Sequence, residues 1–171
     1  LYLGWSQIII ANPRDALGIC NEMKKYHPTV LVNVPSLYQI LINFRKFKRL
    51  DHSAIVSCIS AAAPFPKESQ EALESIVGQG KLLELYGMTE LSPVATMNPS
   101  IGNKKLGKVG MPILNVELKI VDPETGKEVP LGEPGEICVR GPFVMQGYYN
   151  KPEETAKAID KDGYMHTGDV G

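Results

Sequence analysis

Three observations along this 171-residue chain predict an α/β fold. It would be a parallel sheet with flanking helices, followed by a small antiparallel, β-rich subdomain of the distorted-barrel kind. First, short apolar runs alternate with helical patterns through the first half, the rhythm of strand-helix-strand units. Second, beyond residue 100 the helical patterns thin out and strand-like runs are joined by Pro/Gly turns. Third, 43% hydrophobic and 22% charged residues are the proportions of a globular chain long enough to bury a core. The expected subdomains are residues 1–100 and 101–171 of a larger domain.

Each element has its own signal. The run at 7–11 reads as a buried strand, and Asn12-Pro13 breaks it. Residues 14–26 follow as a helix with Ala16, Leu17, Cys20 and Met23 on one face. The next strand is expected at 29–34, then a helix opened by Pro35-Ser36 and carrying Leu37, Ile40, Leu41 and Phe44. Residues 54–60 read as a strand, Ala61 to Pro66 as a turn, and 67–77 as a helix with Pro66 at its first position. Gly78 and Gly80 end that helix, and 81–85 make a strand that delivers Tyr86. In the second half, strands are expected at 116–121 and 135–140, separated by the polar turn 122–127. The lone helix candidate there is 152–158. In parallel sheets ligands gather beyond the carboxyl ends of the strands, where the turn 60–64 and the run 86–90 fall.

Several function classes lose support at once. Net charge is −1, and the densest basic run, Arg45-Lys46-Phe47-Lys48-Arg49, is that of a solvated helix end rather than a nucleic-acid surface. No apolar run approaches the roughly 20 residues that span a bilayer. Neither GxGxxG nor GxxxxGK[ST] occurs, which disfavours a dinucleotide dehydrogenase. Cys20, Cys58 and Cys138 are too scattered for a disulfide framework and read as inert thiols of a reducing compartment, the cytoplasm. His27 and His52 read as surface residues, and the six methionines as packing. Leu1-Tyr2-Leu3-Gly4-Trp5 opens in mid-pattern and Gly171 closes on a Thr-Gly-Asp turn, so the chain is expected to be a fragment.

Two short runs carry chemistry. Leu85-Tyr86-Gly87-Met88-Thr89-Glu90 sets an aromatic face, a flexible backbone point, a hydroxyl and a carboxylate at a strand end. His166-Thr167-Gly168-Asp169 brings a second acid. A nucleotide and its metal need such groups: a ring for the base, a carboxylate for the ribose diol, a hydroxyl near phosphate and a carboxylate for magnesium.

Tyr86-Gly87-Met88-Thr89-Glu90 resembles the Tyr-Gly-x-Thr-Glu motif of the adenylate-forming superfamily. Gly135-Glu136 through Arg140-Gly141, followed by Gly147-Tyr148, resembles that family's Gly-Glu-x-x-x-Arg-Gly segment, and Gly163 to Asp169 its Thr-Gly-Asp segment. Ser60 to Pro64 resembles its small-residue adenine turn, and all of these occur in family order. The wording of Met88 to Pro93 and Gly110-Met111-Pro112 is closest to long-chain fatty-acid–CoA ligases.

The resemblance implies a fragment of an enzyme that uses ATP and Mg²⁺ to turn a fatty acid into acyl-AMP and then passes the acyl group to CoA. Thr89 and Glu90 are the implied catalytic groups, with Glu90 on the metal and the Thr89 hydroxyl at the α-phosphate. Ala62, Ala63, Pro64, Tyr86, Gly87, Thr89 and Asp169 are the implied nucleotide-binding set, with Tyr86 against adenine and Asp169 on the ribose hydroxyls. His166 is implied to position Asp169, while Arg140 is read as a structural salt bridge or a ligand contact. Leu85 stands where many long-chain members have Gly in the acyl tunnel, which leaves chain length open. Ala61-Ala62-Ala63 likewise replaces a frequent Gly. No phosphate loop ending in Pro-Lys-Gly, no hinge and no lysine-bearing C-terminal domain is present, so the fragment alone is expected to be inactive. Transfer to a carrier protein instead of CoA, or an excised nucleotide-binding module, are the alternatives. Nucleic acid and a transmembrane segment are not expected, peripheral membrane contact stays open, and the oligomeric state is unassigned.

Overall fold

A computed structural model describes residues 4–171, so the start of the mid-pattern opening, Leu1 to Leu3, lies outside the described residues. The chain divides into two compact units. One comprises the described residues up to Leu85 with Asn98–Gly110, and the other Tyr86–Met97 with Met111–Gly171.

The first unit is built on a parallel ladder. Its strands β1 (Val30–Asn33), β2 (Ser57–Ser60) and β3 (Leu82–Tyr86) pair in sequence order, with Leu31 opposite Cys58 and Cys58 opposite Leu82. Three helices alternate with them: α1 (Ala16–Tyr26), α2 (Pro35–Asn43) and α3 (Lys67–Val77). Helix α1 starts where the Asp15 carboxylate accepts the Gly18 N–H at 2.9 Å, and stops at His27, whose left-handed backbone returns its N–H to the Met23 carbonyl. Pro35 opens α2 at a position that needs no amide donor. Helix α3 ends on Gly78 at φ +116°.

The core of this unit gathers Ile19, Cys20 and Met23 of α1, Tyr38 and Leu41 of α2, and Leu73 and Val77 of α3 around Cys58 and Leu82. Tyr38 is wholly buried, stacks on Phe65 at 5.8 Å, and shares its hydroxyl hydrogen between the Leu31 and Ile59 carbonyls at 3.0 and 3.1 Å. Burying such a ring is worth about 2–3 kcal/mol. Segment Asn98–Gly110 belongs here through Asn98. Its backbone and side chain bind Glu84 at 2.9 and 2.7 Å, and its amide group donates to the Lys108 carbonyl at 2.8 Å.

The second unit holds a two-residue antiparallel pair, β4 (Thr96–Met97) with β5 (Met111–Pro112), and a three-stranded antiparallel sheet. That sheet runs β6 (Glu117–Val121), β7 (Glu136–Arg140), β8 (Met165–Val170), with α4 (Pro152–Ala158) before its last strand. Ile137, Val139 and Met165 pack with Leu91 and Ala95 in its core. The predicted fold class is present, with the barrel left open: among the described residues this sheet does not close.

Local expectations fail for identifiable reasons. No strand forms at 7–11, because nothing among the described residues offers that run a ladder, and Ile9 stays 88% exposed. On α1 the buried stripe passes through Ile19 rather than Leu17, and on α2 through Tyr38 and Ile42 rather than Ile40. Each helix is therefore rotated slightly from the expected face. Pro66 is the cap of α3 rather than its first residue. His52 is not a surface residue. It is buried against Phe47, whose carbonyl lies 2.8 Å from Nε2. The Thr-Gly-Asp turn is no chain-ending turn either, since it lies inside β8.

Candidate functional site

The predicted residues fall in both units. Ala62, Ala63 and Pro64 form an exposed turn after β2 in the first unit. Ala62 holds φ +72° there, a left-handed geometry at the point where a Gly was expected to be replaced. Ser60, at the end of β2, buries a hydroxyl that has no hydrogen-bond partner among the described residues. Phe65, just after the turn, is anchored because Gln70 Nε2 donates to its carbonyl and to the Glu84 carboxylate, each at 2.7 Å. Burial pushes the Glu84 carboxyl above the ordinary carboxylate range, against the lowering pull of the Gln70 and Phe65 donors. Leu85, half-buried on β3, closes this stretch of the unit.

The remaining residues belong to the second unit, and folding brings two distant ones together. The Tyr86 hydroxyl donates to Asp169 Oδ2 at 2.7 Å across 83 positions of sequence. Burial first, against the lowering pull of Thr167 and with a further push from Asp169, brings the phenol up to about 12. The phenol therefore stays a hydrogen donor at neutral pH. Gly87 is not a flexible point. An added Cβ would sit 1.9 Å from the Pro93 carbonyl oxygen, so the residue is glycine because two backbones meet there.

Thr89 is exposed and opens a 3-10 turn, Thr89–Leu91. Glu90 is half-buried: its carbonyl accepts the Met145 N–H at 2.8 Å, and its Oε1 accepts the Tyr148 hydroxyl at 3.0 Å. Tyr148 thus holds the Glu90 carboxylate in one place, and the Gly147-Tyr148 pair was the available sequence signal for it. Among the described residues Oε2 of Glu90 has no hydrogen-bond partner. One fixed carboxylate with an open oxygen suits Mg²⁺, which takes one or two carboxylates and completes its shell with phosphate and water.

His166 does not bond to Asp169. Its Nδ1 lies 2.8 Å from Glu136 Oε2 and 3.5 Å from Cys138 Sγ, and its Nε2 lies 3.6 Å from Asp160 Oδ2. This group was illegible in the sequence, because only the β7–β8 register brings its members together. Glu136, Cys138 and His166 have the donor atoms of a metal site, all within 4.8 Å of one another. Hydrogen bonds already engage both carboxylate oxygens, however, and burial followed by Glu136 pushes the Cys138 thiol up to about 11, which keeps it protonated. The cluster reads as a hydrogen-bonded brace. Arg140 pairs with Glu117 and lies over the Tyr164 ring at 4.7 Å, the structural salt bridge that the sequence allowed.

An α/β unit followed by a β-rich one, with these motifs in this order, is the architecture of adenylate-forming enzymes. Residues 1–149 match the AMP-binding enzyme family, and the chain belongs to that family. It is 39% identical over 168 residues, 98% of its length, to a long-chain-fatty-acid–CoA ligase of Escherichia coli O6:H1, and spans 29% of that protein. It is 38% identical over 170 residues, 97% of its length, to a 4-coumarate–CoA ligase of Vanilla planifolia, of which it spans 31%. Among solved structures, a benzoate CoA ligase from Burkholderia xenovorans LB400 superposes with a TM-score of 0.87 at 27% identity, covering 98% of this chain and 33% of that one. ATP-bound MatB from Rhodopseudomonas palustris superposes with a TM-score of 0.82 at 35% identity, covering 92% and 30%.

Proposed function

We propose that this chain is the central part of an AMP-forming acyl-CoA ligase that activates a fatty acid as acyl-AMP and transfers the acyl group to CoA. The observation that carries this reading is the Tyr86–Asp169 hydrogen bond. It joins the residue implied to face adenine with the one implied to hold the ribose. Thr89 and Glu90 come soon after Tyr86, separated from it by Gly87 and Met88, which would place a hydroxyl and a metal-binding carboxylate on the phosphate side of the same nucleoside.

The carboxylate of the acid is ionised at neutral pH, so its attack on the α-phosphorus needs no general base. What this chain would supply is orientation and charge complementarity: Tyr86 and Asp169 fix the nucleoside, and Thr89 donates toward the α-phosphate as negative charge grows there. Mg²⁺, when bound, would offset charge on the triphosphate oxygens, with Glu90 as its protein ligand and Tyr148 keeping that ligand in place. Leu85 would line the acyl pocket, and Ala62, Ala63 and Pro64 would lie along adenine. A cytoplasmic location suits a chain whose described helices include none long and apolar enough to cross a membrane, and whose thiols are free.

The similarity to 4-coumarate and benzoate ligases favours an aromatic acid as the second reading. Acid-dependent pyrophosphate exchange, measured on the intact ligase carrying this segment, separates the two. Fatty acids of graded length are expected to outperform 4-coumarate and benzoate, and the reverse order would replace the fatty-acid assignment. Glu90→Ala is expected to slow exchange by at least about tenfold, roughly 1.4 kcal/mol of transition-state stabilisation. An unchanged rate would remove Glu90 from the metal.

A further inference from the structure

We propose that Glu136 is a positioning residue for Asp169, acting through the backbone of β8. This rests on the reading of Asp169 as a nucleotide contact.

The β7–β8 ladder is interrupted at this point. Glu136 pairs with Val170 and Cys138 with His166, so Thr167, Gly168 and Asp169 together face the single residue Ile137. Extra residues in one strand leave their amides without ladder partners and aim their side chains out of register. A free bulge would let Asp169 wander, yet here each residue of the bulge is tied. The Thr167 hydroxyl donates to the Ile137 carbonyl at 2.8 Å, and Thr167 Oγ1 accepts the Asp169 N–H at 3.2 Å. Gly168, at φ +74°, turns its N–H to Glu136 Oε1 at 3.0 Å.

The other oxygen of the same carboxylate meets His166 Nδ1 at 2.8 Å, just before the bulge, while His166 Nε2 faces Asp160 at 3.6 Å. One side chain therefore holds β8 at two points, at the edge of the bulge and within it, and the residue that follows the second point is Asp169. The Tyr86 hydroxyl, 2.7 Å from Asp169 Oδ2, completes the constraint. Glu136 itself need not touch the nucleotide. Its effect is to fix the carboxylate that does, and a carboxylate misplaced by about 1 Å can cost as much as 10²-fold.

The test is pyrophosphate exchange on the intact ligase with Glu136→Ala, Glu136→Gln, Asp169→Ala and the Glu136→Ala/Asp169→Ala double variant, alongside thermal unfolding. Glu136→Ala is expected to raise the KM for ATP about tenfold with kcat changed less than about threefold, since binding geometry is lost and the phosphate-side groups remain. Glu136→Gln is expected to restore most of the affinity, because its amide oxygen still accepts the Gly168 N–H. In the Asp169→Ala background the second change is expected to add less than about twofold, the non-additivity of residues acting as one unit. Should Glu136→Ala not fold, Glu136→Asp withdraws the carboxylate by one methylene and is expected to raise the KM in the same direction.

Raised KM in Asp169→Ala with none in Glu136→Ala, or none in Glu136→Asp where that variant takes its place, overturns the positioning role and leaves the nucleotide assignment standing. Full multiplication of the two single effects in the double variant also overturns it. An unaltered KM in Asp169→Ala removes the nucleotide assignment, and the proposal with it.

Discussion

Gly87 shows how one residue can be constrained by what it lacks. Tyr86 and Thr89 are proposed to act through their side-chain groups, but Gly87 is required for the 1.9 Å that separates a hypothetical Cβ from the Pro93 carbonyl oxygen. Val94 Cα, at 2.8 Å, closes off the other direction of escape. Because the obstacle is backbone, Gly87→Ala is expected to cost about 2–3 kcal/mol, the upper range for overpacking. It should also raise the KM for ATP by displacing Tyr86. Urea denaturation of the variant checks the first part, and stability within 0.5 kcal/mol (about the noise for surface substitutions) would show that the Pro93 segment yields. The sequence announced Gly87 through its motif but assigned it flexibility, because local pattern carries no record of a segment six residues later folding back against it. Glu136 was quoted in the sequence only as part of a motif. Its contact with the Gly168 N–H depends on the bulge in β8, which no periodicity reveals.

Helices α3 and α4 occupy the expected spans, residues 67–77 and 152–158: Pro66 and Gly78 bracket the first, and Pro152 opens the second. Strand bounds are less legible. The apolar runs extend past the ladders, so β2 covers only Ser57–Ser60, and the run at 7–11 forms no ladder at all. Helix α3 also anchors segment Asn98–Gly110. Glu74 Oε1 accepts the Leu82 N–H at 3.0 Å and pairs with Lys104 Nζ at 2.7 Å, both side chains being largely buried. Desolvation alone would raise the Glu74 carboxyl, but the Lys104 ammonium and the Leu82 and Gly80 amides outweigh it and hold the group below its ordinary value.

A depressed carboxylate contributes stability above its unfolded pKa of about 4.3 and loses it as pH falls through the lower folded value. Lys104→Met is therefore expected to cost about 3 kcal/mol at pH 7, by leaving the buried carboxylate without its cation. The gap to the parent chain should narrow on acidification below about pH 4, where protonated Glu74 no longer needs that cation. Chemical denaturation at the two pH values measures it, and a gap independent of pH would mean that Lys104 matters for its packing alone.

At the scale of the whole chain, composition was informative mainly by exclusion. A net charge of −1 offers no broad positive field for a polyanion. The three thiols follow the sequence reading: all are free and buried. Burial raises Cys20, Cys58 and Cys138 alike, the last two to about 11, so little thiolate exists at neutral pH. Ellman's reagent is accordingly expected to find none of the three within minutes in the folded chain, and all three in denaturant. Rapid reaction of one under native conditions would show that its unit opens easily.

That inertness makes the chain a quiet background for labelling chemistry. A single cysteine introduced at a fully exposed position such as Leu131 would be the one accessible thiol a maleimide dye encounters, with every native thiol left as it is.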